Sequence, residues 1–167
     1  MSGRAKQTFL ETYDREHATT MRVLRAYPAD KLDMRPAPVS RTARELAWTF
    51  VLERRLGTAV WNDDFASGPP SGARPAPPDE WTVLLSTLEE AHQSFRSIVA
   101  AASDEDLEKH VHFFTAPKTM GTFSRHEWLW FLLHDEIHHR GQFSVYLRLA
   151  GGKVPSIYGP SADEPWV

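Results

Sequence analysis

The stretch His134-Asp135-Glu136-Ile137-His138-His139 lies inside the longest helically periodic segment of the chain, and it limits what that segment can pack against. The segment opens at Ser124-Arg125-His126-Glu127, a capping box in which the serine and glutamate side chains satisfy backbone N–H groups that the first turn leaves free. It ends near Ala150, before Gly151-Gly152. At about 100° per residue, His126, Glu136, Arg140 and Ser144 gather on one side and read as the polar face. Trp128, Phe131, Val145, Tyr146 and Leu149 gather opposite and read as the core face. His134, Asp135, His138 and His139 project within that core-facing arc, where three imidazoles and a carboxylate are costly to bury unless they are paired or bound to a cation.

Two pairs have the i, i+4 spacing that stacks ligands one turn apart: His134 with His138, and Asp135 with His139. The apolar arc is centred almost midway between them, so periodicity leaves both open, and the preference of Zn or Ni for neutral imidazoles favours His134 with His138. The chain has no cysteine, which leaves His, Asp and Glu as ligands. The candidate metal ligands are therefore His134, His138, His139 and, from another helix, Glu53. One pair from this helix with Glu53 as the third ligand leaves a coordination position open, as a catalytic metal requires. The competing expectation is a hydrogen-bonded polar network without a metal.

Three further helices are expected. Phe9, Tyr13, Met21 and Leu24 recur at helical spacing between Thr8 and Ala26, with His17 on the stripe as a hydrogen-bonded core residue. After an irregular, proline-containing connection from Pro28 to Ser40, Thr42-Ala43-Arg44-Glu45 forms a second capping box. It opens a helix that runs to about Trp61 and carries Leu46, Thr49, Phe50, Glu53 and Leu56 on its buried face. Residues Asp63 to Pro78 form a Pro/Gly/Ser-rich surface loop, and Asp79 to Ala102 form the third helix, with a short helical turn over Asp104 to His110. The tail after Gly152 is an ordered coil anchored by Ile157, Tyr158 and Trp166. With no alternating strand pattern, the expected fold class is all-α: a four-helix bundle forming one domain over residues 1–167.

No stretch approaches the roughly 18 apolar residues of a membrane span, and the first residues lack the apolar core of a signal peptide. A cytoplasmic location is expected. A net charge of -3 with no Lys/Arg run argues against nucleic acid as a partner.

The segment HHRGQFSVYLRLAG at His138 to Gly151, followed by VPSIYG at Val154 to Gly159, resembles the C-terminal signature of the DinB/YfiT-like metalloprotein superfamily. PADKLDMRP at Pro28 to Pro36 and ARELAWTF at Ala43 to Phe50 are similar to its first loop and second helix. The resemblance implies an up-down-down-up bundle, a homodimer, and a histidine triad holding a divalent metal such as Zn or Ni. It also implies, for some relatives, transferase or isomerase activity with a low-molecular-weight thiol. Thr49 stands where the family's second-helix histidine is expected, with Glu53 one turn later as its substitute. The resemblance also selects His139, which directly precedes Arg140, with Asp135 at the partner position.

Two functions follow as expectations. One is a metal-dependent enzyme acting on a small-molecule substrate, either a thiol-dependent S-transferase or a metal-assisted hydrolase, with Tyr158 or Arg140 available to bind substrate. The metal would lower the pKa of a bound thiol or water. The other is a non-catalytic dimeric binding or stress-response module with a degenerate site. The run Trp128-Leu129-Trp130-Phe131-Leu132-Leu133 is apolar almost all round its helix, which also points to a homodimer.

Overall fold

The computed structural model describes residues 3–167. Helix α1 spans Gly3–Arg25, α2 Ala43–Trp61, α3 Trp81–Ala101, α4 Asp104–Glu108 and α5 Arg125–Leu149. A two-stranded antiparallel sheet, β1 (His110–Ala116) and β2 (Thr119–Ser124), joins α4 to α5. The chain is mostly helical, at 58%. Helix α1 packs on α3 and α5, and α2 packs on the same two helices from the other side.

Both expected capping boxes are present. Thr42 accepts from the Glu45 N–H while the Glu45 carboxylate accepts from the Thr42 N–H, and Ser124 and Glu127 do the same at the start of α5. A third box, Ser103 with Asp106, starts α4. Gly57 lies where α2 meets both neighbours: a Cβ there would stand 2.8 Å from Leu132 and 2.9 Å from Phe95.

The hairpin corrects the expectation of an all-α chain without strands. Its inward side chains, Val111, Phe113 and Phe123, pack with Phe65 and Trp128 at one end of the helices. Strands of seven and six residues are too short for their alternation to stand out, and the turn contains no glycine; Lys118 takes the left-handed conformation, with φ 59°. The Asp63 carboxylate accepts from both the backbone N–H and the ring of His112, which ties the hairpin to the end of α2.

The interior is stratified. One apolar cluster holds Leu24, Phe50, Leu84 and Phe143; the other holds Phe9, Val60, Phe95 and Trp128. Between them, at mid-height on every long helix, runs a layer of buried polar side chains: Glu16, His17 and Thr20 on α1, Glu53 and Arg54 on α2, His92 on α3, and Glu136 and Arg140 on α5. The layer is held by buried ion pairs, Arg54 Nη2 to Glu136 Oε2 at 2.7 Å and Arg140 Nη2 to Glu16 Oε2 at 2.7 Å. The first is a charge contact off the line of a directed hydrogen bond, and Thr20 donates to the other Glu136 oxygen at 2.8 Å.

This layer turns α5 away from the expected orientation, although Trp128 and Tyr146 are buried as expected. Glu136 and Arg140, read as the polar face, are each 1% exposed, whereas Phe131, Val145 and Leu149, read as core, are 42%, 55% and 59% exposed. A helical wheel assigns the apolar side to the interior, and here the interior at mid-height is charged because acids and bases on α1 and α2 neutralise it. His17 is the hydrogen-bonded core residue expected, its Nε2 lying 3.0 Å from Glu89. The tail is irregular coil: Ile157 packs on the apolar cluster that includes Phe143, and the exposed Trp166 indole donates to Ser156 Oγ.

Candidate metal centre

Glu53 reaches the centre of the molecule because Thr42 starts α2 in register, which turns Leu46, Phe50 and Glu53 to the same buried side. Across from it, α5 presents His139. Their side chains meet, with His139 Nδ1 2.5 Å from Glu53 Oε1, and Asp135, one turn earlier on α5, places Oδ1 3.8 Å from the same nitrogen. One ligand atom from each of Glu53, Asp135 and His139 lies within 4.8 Å of the others, a group that could hold a metal ion.

Burial raises the pKa of the Glu53 carboxyl, an effect opposed by His139 and Arg54. The hydrogen bond to Glu53 raises that of His139, with burial acting against it. The pair thus favours retention of a proton between the two groups. The donor set suits a cation: a buried carboxylate and a half-buried imidazole from facing helices, a second carboxylate at the rim, and no thiolate.

His134 and His138 are not brought into this group. Both are exposed on the outer face of α5, where His134 stacks obliquely on Trp130 and His138 Nε2 contacts the Gln142 amide at 2.8 Å. Among the described residues the geometry therefore gathers Asp135 with His139, rather than the His134 and His138 pair that ligand chemistry favoured. The reason is the orientation of α5: burying Glu136 and Arg140 turns positions 134 and 138 outward. Thr49 is half-buried, and its hydroxyl accepts from Arg41 Nη1 at 2.8 Å.

Arg140 and Tyr158 have structural partners. Tyr158 donates to Glu16 at 2.7 Å and accepts from Arg140 at the same distance, so the tail is fastened to the buried polar layer. This corrects the reading of Arg140 as part of a polar outer face. Sequence reasoning did not single out Glu16, Arg54 or Glu136 as partners. The Glu136 and Arg140 spacing of four residues is the only trace, and it reads as an exposed helix pair.

Comparison with known proteins bears on the same chain. The DinB family profile matches residues 1–166. The chain belongs to the DinB family. It is 26% identical over 156 residues, 93% of its length, to the Bacillus subtilis protein YrdA, itself uncharacterised, 89% of which is covered. Its fold is similar to the crystal structure of a DinB-like protein from Bacillus cereus, with a TM-score of 0.75 at 22% identity over 91% of this chain and 97% of that one. A DinB-like protein from Bacillus subtilis gives 0.66 at 16% identity, over 89% and 96%.

A cleft of about 540 Å³ adjoins the centre in this DinB chain, with His139, Arg41, Leu46, Val145 and Tyr146 in its walls. The Tyr146 hydroxyl donates to the Arg41 carbonyl at 3.0 Å, which holds the backbone at Arg41 against α5. Where this DinB chain has Thr49, the side chain thus anchors a guanidinium beside His139.

Proposed function

We propose that this DinB-family protein is a metal-dependent enzyme that holds one divalent cation with Glu53, Asp135 and His139 and acts on a small molecule entering through the adjoining cleft. The observation that carries the reading is the meeting of three ligand atoms from two helices within 4.8 Å, next to open space. Such a cation would lower the pKa of a bound water or thiol, the chemistry needed for a metal-assisted hydrolase or a thiol-dependent S-transferase. Glu53, anchored by Arg54 at 3.4 Å, would fix the ligand from the buried side, and Asp135 would close the rim. The lack of cysteine is consistent with a thiol supplied as a small cofactor. Two carboxylates and one imidazole extend the range of suitable metals from Zn and Ni to Mn and Fe.

The metal-free alternative, a non-catalytic binding or stress-response module, draws support from the Arg41 guanidinium anchored on Thr49. A cation beside the centre opposes metal binding.

Elemental analysis of protein purified without a chelating tag and reconstituted with Zn, Ni, Mn or Fe separates the two readings. About one metal per chain is expected. Glu53→Gln and His139→Ala should each weaken binding by at least the roughly 10- to 100-fold scale of losing a supporting partner, and Asp135→Asn by less. His134→Ala and His138→Ala should leave it unchanged. Background metal in every preparation removes the enzyme reading.

We further read the chain as a single cytoplasmic domain with its long helices in up-down-down-up order. Supporting this are the contacts of Asp14 with His92 and Lys6 with Ala102, which run α1 against α3, and those of Trp61 with Arg125 and Arg41 with Tyr146, which run α2 against α5. No described helix is long and apolar enough to cross a membrane.

A further inference from the structure

The Arg41 side chain is exposed at the mouth of the cleft and, among the described residues, has no carboxylate within ion-pair distance. Its one side-chain partner among the described residues is the Thr49 hydroxyl, through Nη1, which leaves donors of the planar guanidinium free. The side chain is nonetheless positioned: Thr49 holds the guanidinium, and Tyr146 holds the backbone carbonyl. An arginine that is held but not neutralised, in a cleft wall, is the arrangement that recognises an oxyanion bidentately.

The remainder of the cleft narrows the class of ligand. Leu46, Val145, Tyr146 and Pro36 contribute apolar surface, and Val145 is 55% exposed there. A single guanidinium matches the single charge and planar fork of a carboxylate. A dianionic phosphate would need a second cation, and would face the carboxylates of Glu45, Glu53 and Asp135 nearby.

We propose that the cleft takes a small carboxylate with an apolar body, its carboxylate held by Arg41 and its body lying on Leu46, Val145 and Tyr146. The proposal deepens the enzymatic reading, on which it rests for the meaning of the site, by assigning the class of substrate or cofactor brought to Glu53, Asp135 and His139. Binding itself requires no metal.

The test uses benzoate as the probe and metal-free full-length protein in the presence of a chelator, followed by calorimetry or by chemical shifts of residues around the cleft. Benzoate should bind, and Arg41→Gln should weaken it by at least 10-fold, with Arg41→Lys intermediate because it keeps the charge but loses the fork. Benzamide, of the same shape and neutral, should bind more weakly than benzoate and be indifferent to Arg41→Gln. Melting curves should match the parent protein, because the side chain is exposed. Equal binding of benzoate and benzamide, or unchanged benzoate affinity in Arg41→Gln, overturns the proposal. Benzoate bound only after metal loading also overturns it, because the metal would then be the anion's partner. Failure of the metal reading would show instead as background elemental analysis, with benzoate binding intact.

Discussion

Glu16 and Arg140 face each other at 2.7 Å with side chains 4% and 2% exposed, and both also contact the Tyr158 hydroxyl. A buried ion pair adds little net stability over a well-packed apolar pair, yet removing one partner strands the other in a medium that solvates it poorly. Glu16→Ala and Arg140→Ala should each lower stability by about 3–5 kcal/mol, whereas Glu16→Leu combined with Arg140→Met should cost much less than the sum. Chemical denaturation of the two single variants and the double variant checks this. Strictly additive losses would mean that the two charges do not act as a pair.

At the scale of elements, the seam between α1 and α3 is built on two imidazoles. His17 and His92 stack with ring centroids 3.7 Å apart and planes 9° from parallel, and each ring also contacts a carboxylate of the other helix, Glu89 and Asp14 respectively. Burial lowers the pKa of His17, and burial together with His17 and Arg54 brings that of His92 down to about 3. The sign follows directly. Below the ordinary histidine range of about 6.5 the unfolded chain binds protons that the folded chain refuses. The stability present above that range should therefore be lost progressively as pH falls from about 6.5 towards 3. Thermal melts between pH 7.5 and 4.5 should show this fall, and His92→Gln should flatten it. An unchanged slope would assign the acid sensitivity to other groups.

At the scale of the whole molecule, the outer face of α5 presents Phe131, Val145 and Leu149 to solvent. The apolar run that suggested a dimer is otherwise used within the chain, since Trp128, Leu129, Leu132 and Leu133 are all buried against the hairpin and the other helices. We propose a homodimer through the outer face of α5 around Phe131 and Leu149, exposed apolar side chains beyond what solvation favours, with Val145 left open to the cleft. Light scattering at micromolar concentration should give twice the chain mass, and Phe131→Asp with Leu149→Asp should give the monomer. A monomeric parent protein would remove the idea.

Local rules determined the helices and their beginnings. Thr42 with Glu45 and Ser124 with Glu127 satisfy the first-turn N–H groups within four residues, so capping is legible without any tertiary partner. The burial of Glu53 was legible as well, because its spacing from Leu46 and Phe50 depends only on helix geometry. Which face of α5 turns inward was not. That depends on whether charges at 136 and 140 find partners on helices distant in sequence: Arg54 and Glu16 supply the opposite charges from 82 and 124 residues away, and Thr20 a hydroxyl donor from 116. Once Glu136 and Arg140 are neutralised in the interior, the helix rotates to bury them. His134 and His138 then face solvent, and Asp135 and His139 meet Glu53. The choice between two ligand pairs of identical spacing was therefore decided by electrostatic partners elsewhere in the fold, which no local pattern contains.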